Sequence, residues 1–578
     1  MAKFIIKSAK QTLTINKNMW QQVNQYVDHS SYYTNGQIET DGKIEGIENG
    51  FAIQQATYII CRVALNEALS PPIDWEEDFR ESSQMWQERY EGTSLLLVSE
   101  EERLRSIDSI IAEMEASDTI PLVLYEKLYA ASRYVLQSCS GTSIPNLQGI
   151  WTGTFEPAWS GDYTFDTNVE LAIASFSRLG LFQELRAVFD RLKHYFADFQ
   201  ENAQRIYGCR GFFVPSHAST TAKHVQWNQE WPLITWTAGA AWLGHFYAEY
   251  ADYTGDLNFL REDALPFWKQ TILFYEDFLL KQEDALLFRP SYSPENGMGD
   301  NAAFDVAALK ETLTNTIAAH LLLGEPVPGN YREMFEKLPM YAINEEGILK
   351  EWIDPKKEEH YNHRHFSQFY PLFESKEIQP DKNPELWQAT EKAFDKKMEA
   401  WVTNKDSGNT SSHGRMHAAM CALALGRTSD LQRSLEEFIK NRAFYNSLIS
   451  AHYNHQNVFN IDANGALPRI YQDAVLYPTE KEKVSLFQAV PDSLETGELR
   501  GVFLPGNIKV NTFSWNIKKR TFDLELIASR DTELEITLSP CFYVQKERTT
   551  LKLKKGKLKR IHFEGGYLNE EVVGKSPT

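Results

Sequence analysis

Three stretches of this chain gather carboxylates, amides and aromatic rings densely enough to do chemistry. Residues 145–170 read PNLQGIWTGTFEPAWSGDYTFDTNVE, with Trp151 and Trp159 set among Gly149, Gly153, Pro157 and Gly161. Glycine and proline at that density mark a loop. Asp162, Tyr163, Asp166, Asn168 and Glu170 follow within nine residues, and the run LAIASFSRLGLF behind them is helical and apolar. Indoles can stack on the flat apolar faces of a sugar while carboxylates and amides take its hydroxyls. The stretch therefore suits a carbohydrate pocket, although such loops also plug helix ends.

The second stretch, RPSYSPENGMGD at 289–300, puts Glu295 on a loop beside Tyr292 and Asn296. A carboxyl desolvated against an aromatic ring has the raised pKa that a general acid needs. A helix cap or a solvated loop acid is the plainer reading. The third, NVFNIDANGALPRI at 457–470, sets Asp462 before the turn pair Asn464-Gly465. From the residues alone Asp462 reads as the head of an Asx turn closing a loop between helices. A fourth segment, EWIDPKKEEHYNHRHFSQFYPLF at 351–373, interleaves His360, His363 and His365 with Tyr361 and Arg364. This is not the i, i+4 histidine spacing of a helical zinc site, so no metal or other cofactor is expected. A histidine satisfied in the core is the plain reading for that segment.

Taken together, P-N-L-Q-G-I-W, E-P-x-W and Y-T-x-x-x-N-x-E resemble the signature of glycoside hydrolase family 95, the inverting 1,2-α-L-fucosidases and α-L-galactosidases. S-P-E-N around Glu295, F-x-I-D-x-N around Asp462, and E-W-x-x-D followed by H-R-H-x-S are similar to further family motifs. The resemblance implies Glu295 as general acid and Asp462 as general base, with Asn168 helping to hold the attacking water. Where the family usually has a second asparagine this chain has Asp166, whose charge would let it share or take over the base role. The resemblance also implies sugar contacts at Trp151, Trp159, Trp352, His363, Arg364 and His365. Looser matches at 207–243 and 412–427 add His217, Trp231 and Arg415, with Trp242 read as core packing. In those stretches Ser219 and Thr220 replace an asparagine and an aspartate, and His413 and His417 replace tryptophans. Such changes in sugar-facing loops point to a donor or aglycone other than plain fucosyl-galactose, with L-fucose or L-galactose as the leading sugar.

Inversion needs the acid and base on opposite faces of the sugar, roughly 6.5–9.5 Å apart. Two other readings stand beside this one. The first is a hydrolase or phosphorylase of the same fold with another donor sugar, Arg364, Arg415 and Lys223 being the cations available to phosphate. The second is a carbohydrate-binding protein that has lost catalysis.

The elements that must position these residues follow from pattern. Residues 120–480 repeat the i, i+3, i+4, i+7 apolar spacing of helices, as in LVLYEKLYAASRYVLQS and TAGAAWLGHFYAEYADYTG. The resemblance assembles those helices into an (α/α)6 toroid, making the chain mainly α. We expect a β region over 1–75, helical linkers over 76–118, the toroid over 119–484 and a C-terminal β-sandwich over 485–578, with GGYLNEEVVGKSPT frayed. Asn35-Gly36 and Asp41-Gly42 read as hairpin turns. The family's N-terminal sandwich is longer, so this β region looks shortened.

A net charge of −20 leaves no basic excess for nucleic acid. The expected partner is an oligosaccharide or glycoside, with no nucleic acid and no membrane. Five scattered cysteines without a CxxC pair read as reduced thiols. The N-terminus MAKFIIKSAK carries no signal-peptide pattern, so a cytoplasmic location is expected unless a leader has been removed.

Overall fold

The computed structural model describes residues 2–5, 12–25, 31–69, 74–154, 156–225, 229, 231–402, 411–539 and 548–573. It divides into two compact units, Met1–Glu91 and Gly92–Thr578. The first holds a four-stranded antiparallel sheet and a three-stranded one around Ile38, Phe51 and Ile53, followed by the helix Trp75–Glu91. Asp41-Gly42 does connect the strands Ser31–Thr40 and Lys43–Ile47, but not as a hairpin: the first strand belongs to the four-stranded sheet and the second to the three-stranded one. Asn35-Gly36 makes no turn: both residues lie inside the strand Ser31–Thr40. Glycine is needed there because the Trp20 ring on the paired strand covers it, and a Cβ would sit 1.9 Å from that ring.

The second unit is an (α/α)6 toroid continuous with a C-terminal β region, and burial separates its helices into two kinds. Outer helices are amphipathic: Thr428–Lys440 buries the stripe Leu431, Ser434, Leu435, Phe438 and Ile439 and leaves the rest half-buried or exposed. Inner helices such as Ser412–Leu425 and Asp462–Val475 are buried at every position. A helix buried all round must let its neighbours approach closely. At Gly465 a Cβ would lie 2.1 Å from the carbonyl oxygen of Leu171, so this glycine lets the Asp462 helix touch the helix Asn168–Ile173. Asn464-Gly465 is thus first-turn helix rather than the turn its residue types suggest. Asn464 uses its side chain to accept from the Ser450 amide at 2.8 Å and to donate to the Leu448 carbonyl at 3.0 Å.

Deep between inner helices, Arg178 pairs with Asp473 at 2.8 Å and Glu249 at 3.1 Å, and Arg469 with Glu374 at 2.8 Å. Buried charges are tolerated when each has such a partner. Trp242 is buried, its indole N–H donating to Glu374 at 3.4 Å, as its reading as a core residue requires.

The β region reaches further than pattern suggested. Strands Leu476–Glu480 and Lys483–Leu486 join Thr532–Leu538 and Arg548–Leu553 in one sheet, so the boundary drawn at 484/485 falls inside it. Helix Asp462–Val475 runs straight into Leu476–Glu480 with no linker. The other sheet is six-stranded, and its edge is Ser94–Leu96, from the segment read as helical linker. That tripeptide is too short to show a period. Tyr567–Val573, within the end expected to fray, pairs in register with Leu558–Glu564. Cys61, Cys139, Cys209 and Cys421 are free thiols, and Cys541 lies outside the described residues. Among the described residues no helix is long and apolar enough to cross a membrane.

Candidate active site

Asp462 opens its helix and is completely buried. Its Oδ2 accepts from Asn168 Nδ2 at 2.5 Å and from Asn460 Nδ2 at 2.7 Å, while Oδ1 has no protein donor. His452 stands behind, with Nδ1 3.8 Å from Oδ2 and 2.9 Å from the Asn460 amide nitrogen. Burial pushes the Asp462 pKa up, and His452, Asn168 and Asn460 pull it back only in part. A buried carboxylate with one oxygen clamped by amides and the other unclaimed is built to accept a proton.

Glu295 lies on the loop of a hairpin in which Ser291–Ser293 pairs with Gly297–Gly299. Buried Glu351 braces that loop from both sides, accepting from Ser293 Oγ at 2.6 Å and Asn296 Nδ2 at 2.7 Å. Ser367 donates to the Pro294 carbonyl. At the carboxyl itself Arg364 forms an ion pair with Oε2, and His365 Nε2 is 3.5 Å away. Burial alone would raise the Glu295 pKa; His365 and Arg364 outweigh it and hold the group well below the usual carboxylate range. Asp166 moves the other way, driven up by burial and by the neighbouring Glu295 charge.

That neighbour was not anticipated. The family resemblance grouped Asp166 with Asp462 around one water, but the charge that acts on Asp166 is that of Glu295, and Asp462 is served by Asn168 and Asn460. Thr167 between them has φ 90°, the left-handed region, and marks the bend from which Asp166 and Asn168 take different partners. A non-glycine residue held there costs on the order of 1–3 kcal/mol, a strain often found at functional sites.

A row of imidazoles links the two carboxyls. The His365 ring is 4.6 Å from His413, and His413 is 5.2 Å from His452. Trp159, 38% exposed, stands 4.7 Å from His452. Burial pushes His365 down to about 4 and His417 to about 3, and lowers His363 and His413 as well, so these rings are neutral at pH 7. Neutral imidazoles can exchange hydrogen bonds with hydroxyls without adding charge. His217 is likewise lowered, to about 4 by burial, despite the opposing Glu295 charge. One group could converge on a cation, His413, His452 and Asp462, whose donor atoms lie within 4.8 Å of one another. The fit is poor, because Asp462 Oδ2 already takes two amide protons and His452 Nδ1 a third, while metal–nitrogen and metal–oxygen bonds are only about 2 Å long.

Glu295, Asp166, Asn168, Asp462, His217, His363, Arg364, His365 and Trp159 are thus brought into one region, but four expected sugar contacts have other surroundings. Trp352 is completely buried under Gly299, with Lys357 over its ring at 4.8 Å, and supports the Glu295 hairpin. Arg415 is buried with its guanidinium 5.8 Å from the Trp401 ring centroid, and burial lowers its pKa to about 10. Trp151 packs with Val135, Cys139, Ala172 and Ile461 behind the Asp462 loop. Trp231 is 51% exposed on the turn before the short helix Leu233–Thr235. An indole or guanidinium fits a core as readily as a sugar face, and local spacing does not separate the two. Asn460, Glu351 and His452 escaped the motif reading. Asn460, two residues before Asp462, had a local signal; Glu351 sat inside the matched E-W-x-x-D; His452 had none.

Fold and site together define an (α/α)6 domain with a carboxyl site of glycoside-hydrolase type. Residues 74–469 match the glycosyl hydrolase family 95 catalytic domain, and the chain belongs to that family. It is 27% identical over 406 residues to alpha-L-fucosidase 2 of Arabidopsis thaliana, covering 67% of this chain and 48% of that protein. It is 24% identical over 421 residues to probable alpha-fucosidase A of Aspergillus niger, covering 67% and 52%. The chain therefore spans about half the length of these relatives. Among solved structures, a putative kojibiose phosphorylase from human microbiome superposes with a TM-score of 0.59 at 9% identity, over 94% of this chain and 80% of that one. At that identity the likeness concerns the fold alone.

Proposed function

We propose that this protein hydrolyses a terminal α-L-fucosyl or α-L-galactosyl linkage of an oligosaccharide with inversion. Glu295 delivers the proton to the leaving oxygen, and Asp462 takes one from the attacking water. The observation that carries the reading is the asymmetry of Asp462: Oδ2 is clamped by Asn168 and Asn460, and buried Oδ1 is left for a water. Fucose leads because two relatives carry fucosidase names, and exposed Trp159 with the neutral imidazoles suits an uncharged sugar.

The test is a screen of α-L-fucosyl, α-L-galactosyl, α-L-rhamnosyl and α-D-glucosyl oligosaccharides, with and without phosphate, the released anomer being read by NMR. Initial release of β-L-fucose or β-L-galactose is expected, independent of phosphate. Release of the α anomer would refute inversion, a sugar phosphate would indicate phosphorolysis, and binding without turnover would favour a lectin-like protein.

A further inference from the structure

Asn460 stands two residues before Asp462, and a short hairpin brings His452 against it. Strand Ala451–Tyr453 pairs with Asn457–Phe459, Ala451 lying opposite Phe459. Ser450 closes the open end: its carbonyl accepts from the Asn460 backbone N–H at 2.9 Å, and its hydroxyl donates to the Asn460 carbonyl at 2.7 Å. The Asn460 backbone is thereby fixed, and its completely buried side chain has one nitrogen and one oxygen to place. Nδ2 is 2.7 Å from Asp462 Oδ2 and 2.9 Å from His452 Nδ1, while Oδ1 is 3.5 Å from the Ser450 hydroxyl. An ionised aspartate only accepts, so the atom facing it is the amide nitrogen. That nitrogen carries two protons. One goes to Asp462 and the other to His452, whose Nδ1 accepts it and whose own proton is on Nε2. His413, on the helix Ser412–Leu425, is a second imidazole beside the carboxyl, with its ligating atom and those of His452 and Asp462 within 4.8 Å of one another. Burial lowers its pKa and keeps it neutral at pH 7.

We propose that His452 is a positioning residue of the base: by accepting the second amide proton of Asn460, it locks that amide with its first proton on Asp462. This rests on Asp462 as the base. Held by the carboxylate alone, the amide could turn over about its Cβ–Cγ bond. With an acceptor at His452 Nδ1 the reversed amide is unfavourable at both ends, because Oδ1 would face a carboxylate oxygen and an unprotonated nitrogen. His452 needs neither a charge nor a contact with the sugar to act in this way. Its acceptor matters, and its bulk does not. Leucine has no acceptor. Asparagine carries its side-chain oxygen on Cγ, where histidine carries Nδ1.

His452→Leu and His452→Asn test this through the acidic limb of the kcat/KM profile. That limb reports the free enzyme, so a contact between ring and sugar does not enter. We expect the leucine variant to move the limb up by about one unit, with rates on it about 10-fold lower. The asparagine variant should keep the limb at its wild-type position. In an Asn460→Leu background His452→Leu should move the limb no further, since the amide through which it acts is gone. A limb unmoved by leucine, an asparagine variant shifted as far as leucine, or shifts that add in the double variant each overturn the proposal. Should the leucine variant fail to fold in a thermal melt, His452→Phe, likewise without an acceptor, takes its place. A second readout needs no turnover. A neutron structure at pH 7 should show a deuteron on His452 Nε2, none on Nδ1, and the two amide deuterons of Asn460 directed at Nδ1 and at Asp462 Oδ2. A deuteron on Nδ1 refutes the lock. If the wild type releases no sugar, the hydrolase reading fails while the neutron map still decides which way the amide faces.

Discussion

Asn460→Leu removes one of the two amide donors to Asp462 while nearly preserving side-chain volume. The lost bond is 2.7 Å long, fully buried, and made to the oxygen opposite the one offered to water. A hydrogen bond to a charged acceptor is worth about 1.5–3 kcal/mol. At about 1.4 kcal/mol per unit, its loss raises the Asp462 pKa by about 1–2 units. The sign follows from the base role. Burial already holds Asp462 above the ordinary aspartate range, and a further rise keeps it protonated, hence inactive, to higher pH. The acidic limb of the kcat/KM profile should move up by about 1–2 units, with rates on that limb about 10–100-fold lower and recovery above it. Steady-state kinetics on the released sugar from pH 4 to 9, with a thermal melt to confirm folding, measure this. A limb that stays in place, or a loss of equal size at every pH, refutes the argument that Asn460 tunes a buried base.

Other positions give independent tests. Trp159→Ala should raise KM by about 2–10-fold with kcat little changed, since a stacking face contributes about 0.5–1.5 kcal/mol to ground and transition states alike; an unaltered KM would remove Trp159 from the sugar site. Gly465→Ala drives a methyl to 2.1 Å from the Leu171 carbonyl and should cost about 1–3 kcal/mol, lowering the urea midpoint and the activity together by parting Asp462 from Asn168. Burial pushes Asp305 up to about 7 although Ser291 donates to it. Its folded pKa exceeds the ordinary 3.8, so its stabilising effect is complete below about pH 4 and is lost as pH rises through 7. Asp305→Asn should therefore flatten the fall in stability between pH 4 and 8, and urea melts at both ends check it.

Much of this molecule is legible in its sequence. Helical periodicity marks the toroid's elements because an amphipathic helix writes its burial into neighbouring residues, as Leu431, Leu435 and Phe438 do. The Glu295 loop, the Asp462 motif and Asn168 stand in short contiguous patterns, and those patterns carry the family resemblance. What local pattern cannot hold is which side chain meets which across the ring. Asn168 and Asp462 meet from 294 positions apart, and only the close approach at Gly465 brings them together. Asp166 sits two residues from Asn168 yet faces the other carboxyl, because the backbone bends at Thr167. Trp352 and Arg415 have the chemistry of a sugar site and the burial of a core. The residue types, and hence the repertoire of acid, base, amide and ring, belong to the sequence alone. Which amide and which cation meet each carboxyl depends on distances that exist only once the helices have closed.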